Sequence, residues 1–392
     1  VKAVWQVTRL AEVCKTAAGG TPLKSNKEFY EGGKIPWLQS GEVSQGEISA
    51  AKTFITELGL KKSSAKLFPA NTVLVAMYGA TAGQVGILRF ESATNQAVCG
   101  ILPNKTFIPE FLYYLLLSRK RELVAQAVGN AQPNISQQKI RDMYVPLVTI
   151  SEQRRIVSIL AQAFGRIAQA RANVEKNLQS ARTLFESHLQ SVFSQKGDIW
   201  EVKRIKDIAK HSLGKMLDKA KNRGVLQPYL RNLNVRWFFF DLSDVLQMPF
   251  LPEESGKYTA IKGDVLICEG GYPGRAAIWN EDYPIHFQKA LHRVRFDDPE
   301  HNKWFLYYLY SQDKSGELKR HFNGAGIQHF TGEALARFEL PLPPLPEIRK
   351  AVAKIEALSA ETQRLESIYR EKLAALDELK QSLLHQAFSG QL

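Results

Sequence analysis

The sequence predicts an α/β (α+β) protein built twice. Two globular domains each lead into a long helix, the two helices pair antiparallel as a coiled coil, and the chain carries an internal pseudo-twofold repeat. Three observations carry this expectation. The chain matches itself at an offset of about 195 residues. The first part of each repeat mixes short β-rich runs, helical stretches and glycine turns. The second part is a long proline-free stretch with apolar residues at heptad spacing.

The repeat is read element by element. Trp5-Gln6-Val7-Thr8-Arg9-Leu10 returns as Trp200-Glu201-Val202-Lys203-Arg204-Ile205. Trp37-Leu38 and Val43 return as Tyr229-Leu230 and Val235. Val73-Leu74-Val75, followed by Gly79 and Gly83, returns as Val265-Leu266-Ile267 with Gly271 and Gly274. Phe111-Leu112-Tyr113-Tyr114-Leu115 returns as Phe305-Leu306-Tyr307-Tyr308-Leu309. From Ser136 the offset stays at 195 without a gap, Ser136–Gly197 matching Thr331–Leu392. Strands are expected at Val73–Met77 and Val265–Cys268, and helices at Phe111–Ala127 and Trp304–Phe322.

Pro146-Leu147-Val148 and Pro341-Leu342-Pro343-Pro344-Leu345-Pro346 then impose an extended connector. Helix-start signals follow at Ser151-Glu152 and Pro346-Glu347. The first apolar seam runs Ile156, Leu160, Ala163, Ile167, Ala170, Val174, Leu178, Ala181, Leu184 or Phe185, Leu189 and Val192. The second runs Ala351, Ile355, Leu358, Thr362, Leu365, Tyr369, Leu373, Leu376, Leu379, Leu383 and Ala387. One extra step of four makes a stutter near Leu178. Each stretch would form a helix of roughly 65 Å, and the cheapest partner for so long an apolar stripe is the other copy. Antiparallel pairing needs no long return crossing and sets a globule at each end. The expected domains are 1–148, 149–195, 196–343 and 344–392.

Composition narrows the function. The 392 residues hold 52 Lys and Arg against 39 Asp and Glu, a net charge of +13, which favours a polyanionic partner, nucleic acid before acidic lipid. The longest apolar runs, such as Phe111–Leu117, are too short to span a bilayer, so no membrane partner is expected. The first residues lack a basic-then-apolar signal pattern. Cys14, Cys99 and Cys268 are widely spaced and odd in number, which excludes a disulfide scaffold and a cysteine zinc site. The expected address is cytoplasmic.

Catalytic patterns are missing. The one Pro-Pro, Pro343-Pro344, is followed by Leu345 and makes no Asn/Asp-Pro-Pro-aromatic loop of an amino-methyltransferase. Gly33-Lys34, Gly214-Lys215 and Gly256-Lys257 are followed by Ile, Met and Tyr, so none ends a nucleotide-binding loop. Asp298 with Glu317-Leu318-Lys319 is a poor nuclease match at a helix end. The eight histidines form no His-Glu-x-x-His pair, and His286 and His292 read as strand or surface residues. No catalytic, cofactor or metal site is expected in this chain.

Binding candidates lie in loops. Gly79-Ala80-Thr81-Ala82-Gly83-Gln84 and Gly270-Gly271-Tyr272-Pro273-Gly274-Arg275 follow β-rich runs. They either offer backbone N–H groups to an anion and project Thr81, Gln84, Tyr272 and Arg275, or are tight turns with no ligand. The polar loops Gly129–Asn134 and Gly324–His329 occupy matched positions and supply Asn130, Gln132, Asn134, Gln328 and His329. Asn, Gln and Arg can read base edges bidentately. Lys24, Ser25 and Asn26, then Lys215, Lys219 and Arg223, are candidates for phosphate contact or plain solvated surface, as are Lys203, Arg204, Lys206 and Lys221. Arg231 and Asn232 complete the set. The run Trp237-Phe238-Phe239-Phe240 reads as core before stacking platform.

Taken in order, these motifs resemble the specificity (S) subunit of a Type I restriction-modification enzyme. The resemblance is carried by the Trp5 and Trp200 openings, Val73–Gly83, Asn95-Gln96-Ala97, Pro146-Leu147 with Glu152-Gln153-Arg154-Arg155-Ile156, and the closing Gln386–Leu392. Phe287-Gln288-Lys289-Ala290 and Glu347-Ile348-Arg349 depart from it in the second copy. It implies two target recognition domains, each reading half of a split double-stranded DNA sequence, with the helices as spacer. It also implies two modification subunits that use S-adenosylmethionine to methylate adenine, and restriction subunits that use ATP and Mg²⁺; catalysis would be theirs. Two other readings stay open: a coiled-coil protein-binding adaptor, and the specificity part of a fused methyltransferase-nuclease.

Overall fold

The computed structural model describes residues 5–125, 134–194, 200–218 and 222–392. The chain divides into two compact units. The first holds 1–174 and 371–392, the second 175–370. Each unit therefore contains one globule, the start of the long helix that follows it and the end of the other long helix.

The ends of each globule pair with one another. In the first unit Gln6–Arg9 runs antiparallel to Tyr144–Leu147, with Gln6 opposite Leu147 and Val7 opposite Pro146. In the second, Glu201–Arg204 meets Glu339–Leu342, with Glu201 opposite Leu342 and Val202 opposite Pro341. The register is the same residue for residue under the repeat. The connector is extended as expected, and its first proline in each copy, Pro146 and Pro341, also sits in a two-stranded ladder, where a missing N–H is tolerated because the strand lies at an edge.

Between these end strands lie mixed sheets. The first unit has a five-stranded sheet in the order Thr16–Ala18, Val98–Ile101, Val73–Ala76, Val85–Leu88, Glu47–Ile48. It also has a four-stranded one, Phe54–Ile55, Ile35–Leu38, Ser92–Thr94, Leu67–Phe68. The second unit has Ala209–Leu213, Leu291–Phe296, Val265–Cys268, Ala276–Ile278, and beside it Leu246–Phe250, Val225–Leu230, Ile285–Phe287, Thr259–Ala260. Most pairs are antiparallel; Ile35–Leu38 with Ser92–Thr94, Glu47–Ile48 with Val85–Leu88, and Val225–Leu230 with Ile285–Phe287 are parallel. The aromatic helices run Pro109–Ser118 and His301–Ser315. The second stops short of Phe322 because Gly316, at φ +82°, caps it in the left-handed conformation.

The long helices run Ile150–Ser194 and Leu345–Phe388, 45 and 44 residues. Inside the first unit Arg155 donates to the Leu392 carbonyl and Arg171 pairs with Asp377, so the helices run antiparallel there. Inside the second, Arg182 pairs with Glu366 at 2.7 Å. The seam follows the heptad reading with two refinements. Phe185 is buried while Leu184 is 62% exposed. Leu379, expected on the seam, is 47% exposed. Lys380 takes its place, its stem partly buried and its ammonium 5.1 Å from the centre of the Phe164 ring. The step from Leu376 to Lys380 is four residues, and a long alkyl stem can line an apolar stripe while its charge sits on an aromatic face.

Each globule's core continues into its helices. Val75, Phe111, Leu115 and Ile140 pack with Ile156, Leu160, Leu384 and Ala387. Trp304, Phe305 and Phe338 pack with Phe185, Leu189, Ile348 and Ile355. Trp237 and Phe238 lie against that second core, whereas Phe239 is exposed.

Candidate nucleic-acid interface

The glycine loops are hairpin turns. In the first unit Val73–Ala76 and Val85–Leu88 are joined through a short 3-10 turn at Gly79–Thr81. In the second, Val265–Cys268 and Ala276–Ile278 are joined through Glu269–Arg275. Several of their amides are engaged within the turns. Gly83 N–H donates to the Ala76 carbonyl at 2.8 Å and Gln84 N–H to Thr81 at 3.0 Å. Gly274 N–H donates to Cys268 at 2.9 Å and Arg275 N–H to Tyr272 at 3.2 Å. The glycines answer to packing. A Cβ on Gly83 would lie 2.8 Å from Val124, and one on Gly274 2.4 Å from Leu318. The backbone bonds make both loops tight turns.

The second unit gathers several expected side chains around its turn. Asn232 donates to the Gly270 carbonyl at 3.1 Å, and Arg275 donates to the Asn232 carbonyl at 3.0 Å. The Arg275 guanidinium stacks 5.1 Å from the Tyr272 ring centre, and the Tyr272 hydroxyl donates to Asp313 at 3.2 Å. Burial, then the Asp313 charge, push the Tyr272 phenol above its usual range. Gly270 lies against the His329 ring. His329 closes an exposed loop through a reciprocal backbone pair with Asn323, and Gln328 stands exposed beside it. Asn232, Tyr272, Arg275 and His329 thus form one contiguous group, with Gln328 adjoining. Arg275 was expected to project outward; it is half-buried and ties the Asn232 turn to the hairpin, so it acts as a positioning residue.

The first unit repeats the arrangement. Asn134 bridges to Tyr78, as His329 adjoins Gly270, and Ile135 N–H reaches the Met77 carbonyl as Phe330 N–H reaches Glu269. Thr81 turns back, its hydroxyl donating to the Tyr78 carbonyl at 3.2 Å. Gln84 faces a cavity of about 920 Å³ that Lys120, Arg121 and Lys380 also line. Lys24 lines a separate concavity of about 520 Å³ with Gln39, Lys52, Tyr30 and Phe54. Ser25 is exposed beside it, and Asn26 caps a local turn by accepting the Glu28 N–H at 3.1 Å. Asn130, Gln132, Lys219 and Lys221 lie outside the described residues.

Of three candidate cations, two depart from their expected role. Lys215 is buried; its ammonium holds the Glu254 carboxylate at 2.5 Å and the Pro249 carbonyl at 2.9 Å, so it is unavailable to a phosphate. Arg231 is largely covered and pairs with Asp244 at 2.5 Å. Arg223 remains exposed. Sequence reasoning missed Tyr78, an exposed ring at the turn position where the second copy has Gly270; that mismatch under the repeat was the available signal. It also missed Gln39 and Lys52, which join Lys24 only through the fold. Among the described residues no three His, Cys, Asp or Glu side chains group to hold a metal ion, and no helix is long and apolar enough to cross a membrane. Burial drives the three thiols upward, Cys14 and Cys99 to about 12 and Cys268 to about 11. Thiols so protonated are poor nucleophiles.

The chain carries an α/β globule twice, each followed by a long helix, with exposed polar side chains near the hairpin turns. Residues 3–176 and 198–373 match the family model described as the Type I restriction modification DNA specificity domain, and the chain belongs to this family of specificity subunits, carrying the domain twice. It is 29% identical over 156 residues to the EcoR124I/EcoR124II specificity subunit of Escherichia coli, a match spanning 38% of this chain and 39% of that protein. It is 21% identical over 411 residues to the MjaVIII specificity subunit of Methanocaldococcus jannaschii, across 99% of this chain and 93% of that one. A solved chain from work on complex assembly and conformational transition of the type I R-M system superposes with a TM-score of 0.82 at 22% identity, covering 99% and 98%. At that identity the likeness is one of fold.

Proposed function

We propose that this chain reads a bipartite double-stranded DNA target, one half-site per unit, and docks modification and restriction subunits. The observation that carries this reading is the contrast between matched scaffolds and unmatched loops. The end strands pair in identical register, yet the hairpin group is Tyr78, Thr81, Gln84 and Asn134 in one unit and Asn232, Tyr272, Gln328 and His329 in the other. One architecture carrying two sets of hydrogen-bonding side chains suits two different base sequences. The net charge of +13 supports the affinity for phosphate that any such reader needs. Methyl transfer from S-adenosylmethionine, and cleavage with ATP and Mg²⁺, are assigned to the partner subunits.

The test is an exchange. Residues 1–148 are replaced by the corresponding domain of a divergent relative, and the methylome of a host carrying the chimera with its modification subunits is sequenced. One half of the methylated motif should change while the other keeps its sequence. A change in both halves, or in neither, would overturn the assignment of one half-site to each unit.

A further inference from the structure

We propose that Ile327 reads the 5-methyl group of a thymine in the half-site contacted by the second unit; this deepens the proposed function and rests on it. Ile327 is 76% exposed, more than any other large apolar side chain among the described residues. Single apolar exposures are ordinary on protein surfaces. The difference lies in the loop that holds this one out.

That loop is closed at its base by two backbone bonds, Asn323 N–H to the His329 carbonyl at 2.9 Å and His329 N–H to the Asn323 carbonyl at 2.8 Å. The Asn323 amide adds a bond to the Thr331 hydroxyl at 3.2 Å. Gly324 sits at φ +112°, and a Cβ there would fall 2.2 Å from the Ile327 carbonyl, so the loop has no room for a side chain within it. The next residue, Phe330, is fully buried, and its N–H reaches the Glu269 carbonyl at the start of the hairpin turn. Ile327 is therefore presented on a braced loop anchored to the Asn232–Tyr272–His329 group.

Its neighbours specify the ligand. Gln328 and His329 follow directly and are both exposed. In the major groove an A·T pair presents adenine N6 and N7, which a glutamine meets bidentately, and beside them the thymine methyl, which takes an apolar contact. An isoleucine next to a glutamine matches that edge in both its parts. A G·C pair has no methyl to offer.

The test uses the chain assembled with its modification subunits and duplexes carrying the motif found by methylome sequencing. Each thymine of the second half-site is replaced in turn by uracil, which keeps the hydrogen-bonding groups and lacks the methyl. At one position uracil should weaken binding about threefold to tenfold. The I327A complex should bind the thymine duplex more weakly and no longer distinguish thymine from uracil there, the signature of a direct pairwise contact. A second half-site without an A·T pair overturns the proposal. So does an I327A complex that still discriminates at that position, or one that loses affinity equally on every sequence, as a sequence-independent wedge would. An assembled complex whose domain exchange alters both half-motifs or neither removes the underlying reading, and this inference falls with it; a clean exchange with unaltered thymine discrimination removes the inference alone.

Discussion

The turn leading into the central hairpin strand is built on Asn71 in the first unit and on Gly263 in the second. Both adopt positive φ, +67° and +94°. Asn71 N–H donates to the Leu88 carbonyl at 2.6 Å and Gly263 N–H to the Trp279 carbonyl at 2.8 Å. The main chain is the same, but what hangs from it differs. The Asn71 side chain accepts from Arg89, which also holds Glu47 and Glu110. At the second turn the Gly263 carbonyl accepts from Asn302 at 2.7 Å. The same rule holds elsewhere: Cys99 and His292 share a ladder position opposite Val75 and Ile267, and Glu110 and Trp304 share a place beside Phe111 and Phe305. At these positions the two units share their backbone hydrogen bonds while their side chains differ in chemistry.

The largest test of this comparison is at Glu110 and Trp304. Trp304 is fully buried, donates to the Pro341 carbonyl at 2.7 Å and packs 4.6 Å from the Phe193 ring. Trp304→Ala should cost about 3–5 kcal/mol through the cavity left behind, with the Pro341 carbonyl losing its donor as well. Hydrogen exchange should rise across 200–218 and 222–343 while 5–125 stays protected. Glu110→Ala, at the matched position, leaves Arg89 with Glu47 and Asn71 and should cost less than about 1 kcal/mol. Equal effects would mean that the two positions bear similar loads and that the units diverged less than their side chains suggest.

The contrast between main chain and side chain also marks how far the sequence could be read. The strands at Val73–Ala76 and Val265–Cys268, the aromatic helices and the long helices were legible because they rest on backbone pattern, which the repeat displays twice. The pairing of the end strands was not legible, because it joins segments more than 130 residues apart. The site was legible only where a loop keeps its residues close together, as at Gly270–Arg275 and Gln328–His329. Lys215 was not, because its burial depends on Glu254, 39 positions away and supplied by a different strand and turn. Lys380 replaced Leu379 on the seam for a similar reason: a lysine stem counts as polar in a hydrophobic pattern, and the Phe164 ring that receives its charge is visible only in the folded pair. Some amides of the glycine turns, those of Gly83 and Gly274 among them, look free in sequence and are engaged in structure.

Acid should separate the units next. The His292 imidazole donates from Nε2 to the Phe330 carbonyl at 3.1 Å, with its other nitrogen buried without a partner. Burial pushes it down to about 4, and neighbouring His211 disfavours its charge further. The unfolded chain takes up this proton near pH 6.5, whereas the folded unit resists it to about pH 4, so stability is lost as pH falls through that window. One such group amounts to about 2 kcal/mol at pH 5. Burial lowers His211, His286 and His321 in the same direction, and all lie in the second unit. At the matched ladder position Cys99, pushed up to about 12, stays neutral throughout. Urea unfolding followed by hydrogen exchange at pH 7 and pH 5 should show the second unit losing stability and the first changing little. His292→Cys, which installs the other copy's residue, should remove part of that acid sensitivity. An unchanged pH dependence in that variant would place the acid response on the remaining histidines.

The smallest expected effects come from exchanging the turn residues themselves, and they test the opening comparison most directly. Asn71→Gly keeps a residue that tolerates positive φ but loses the 3.0 Å bond to Arg89 and adds freedom to the unfolded chain. Because that bond is exposed and Arg89 keeps two carboxylates, the cost should stay within about 1 kcal/mol. Gly263→Asn is the harder direction. Asparagine visits the left-handed region near φ +57°, but Gly263 lies at +94°, and a Cβ there would come within 3.3 Å of the Asn302 amide nitrogen. That amide already has an unpartnered buried oxygen on its other side, so displacing it puts its one bond to the Gly263 carbonyl at risk. The penalty should therefore exceed that of Asn71→Gly, at roughly 1–2 kcal/mol, read as a drop in thermal midpoint with unaltered sequence recognition. If Gly263→Asn were instead neutral, the turn would accommodate either residue, and the glycine would owe its place to drift rather than to the close approach of Asn302.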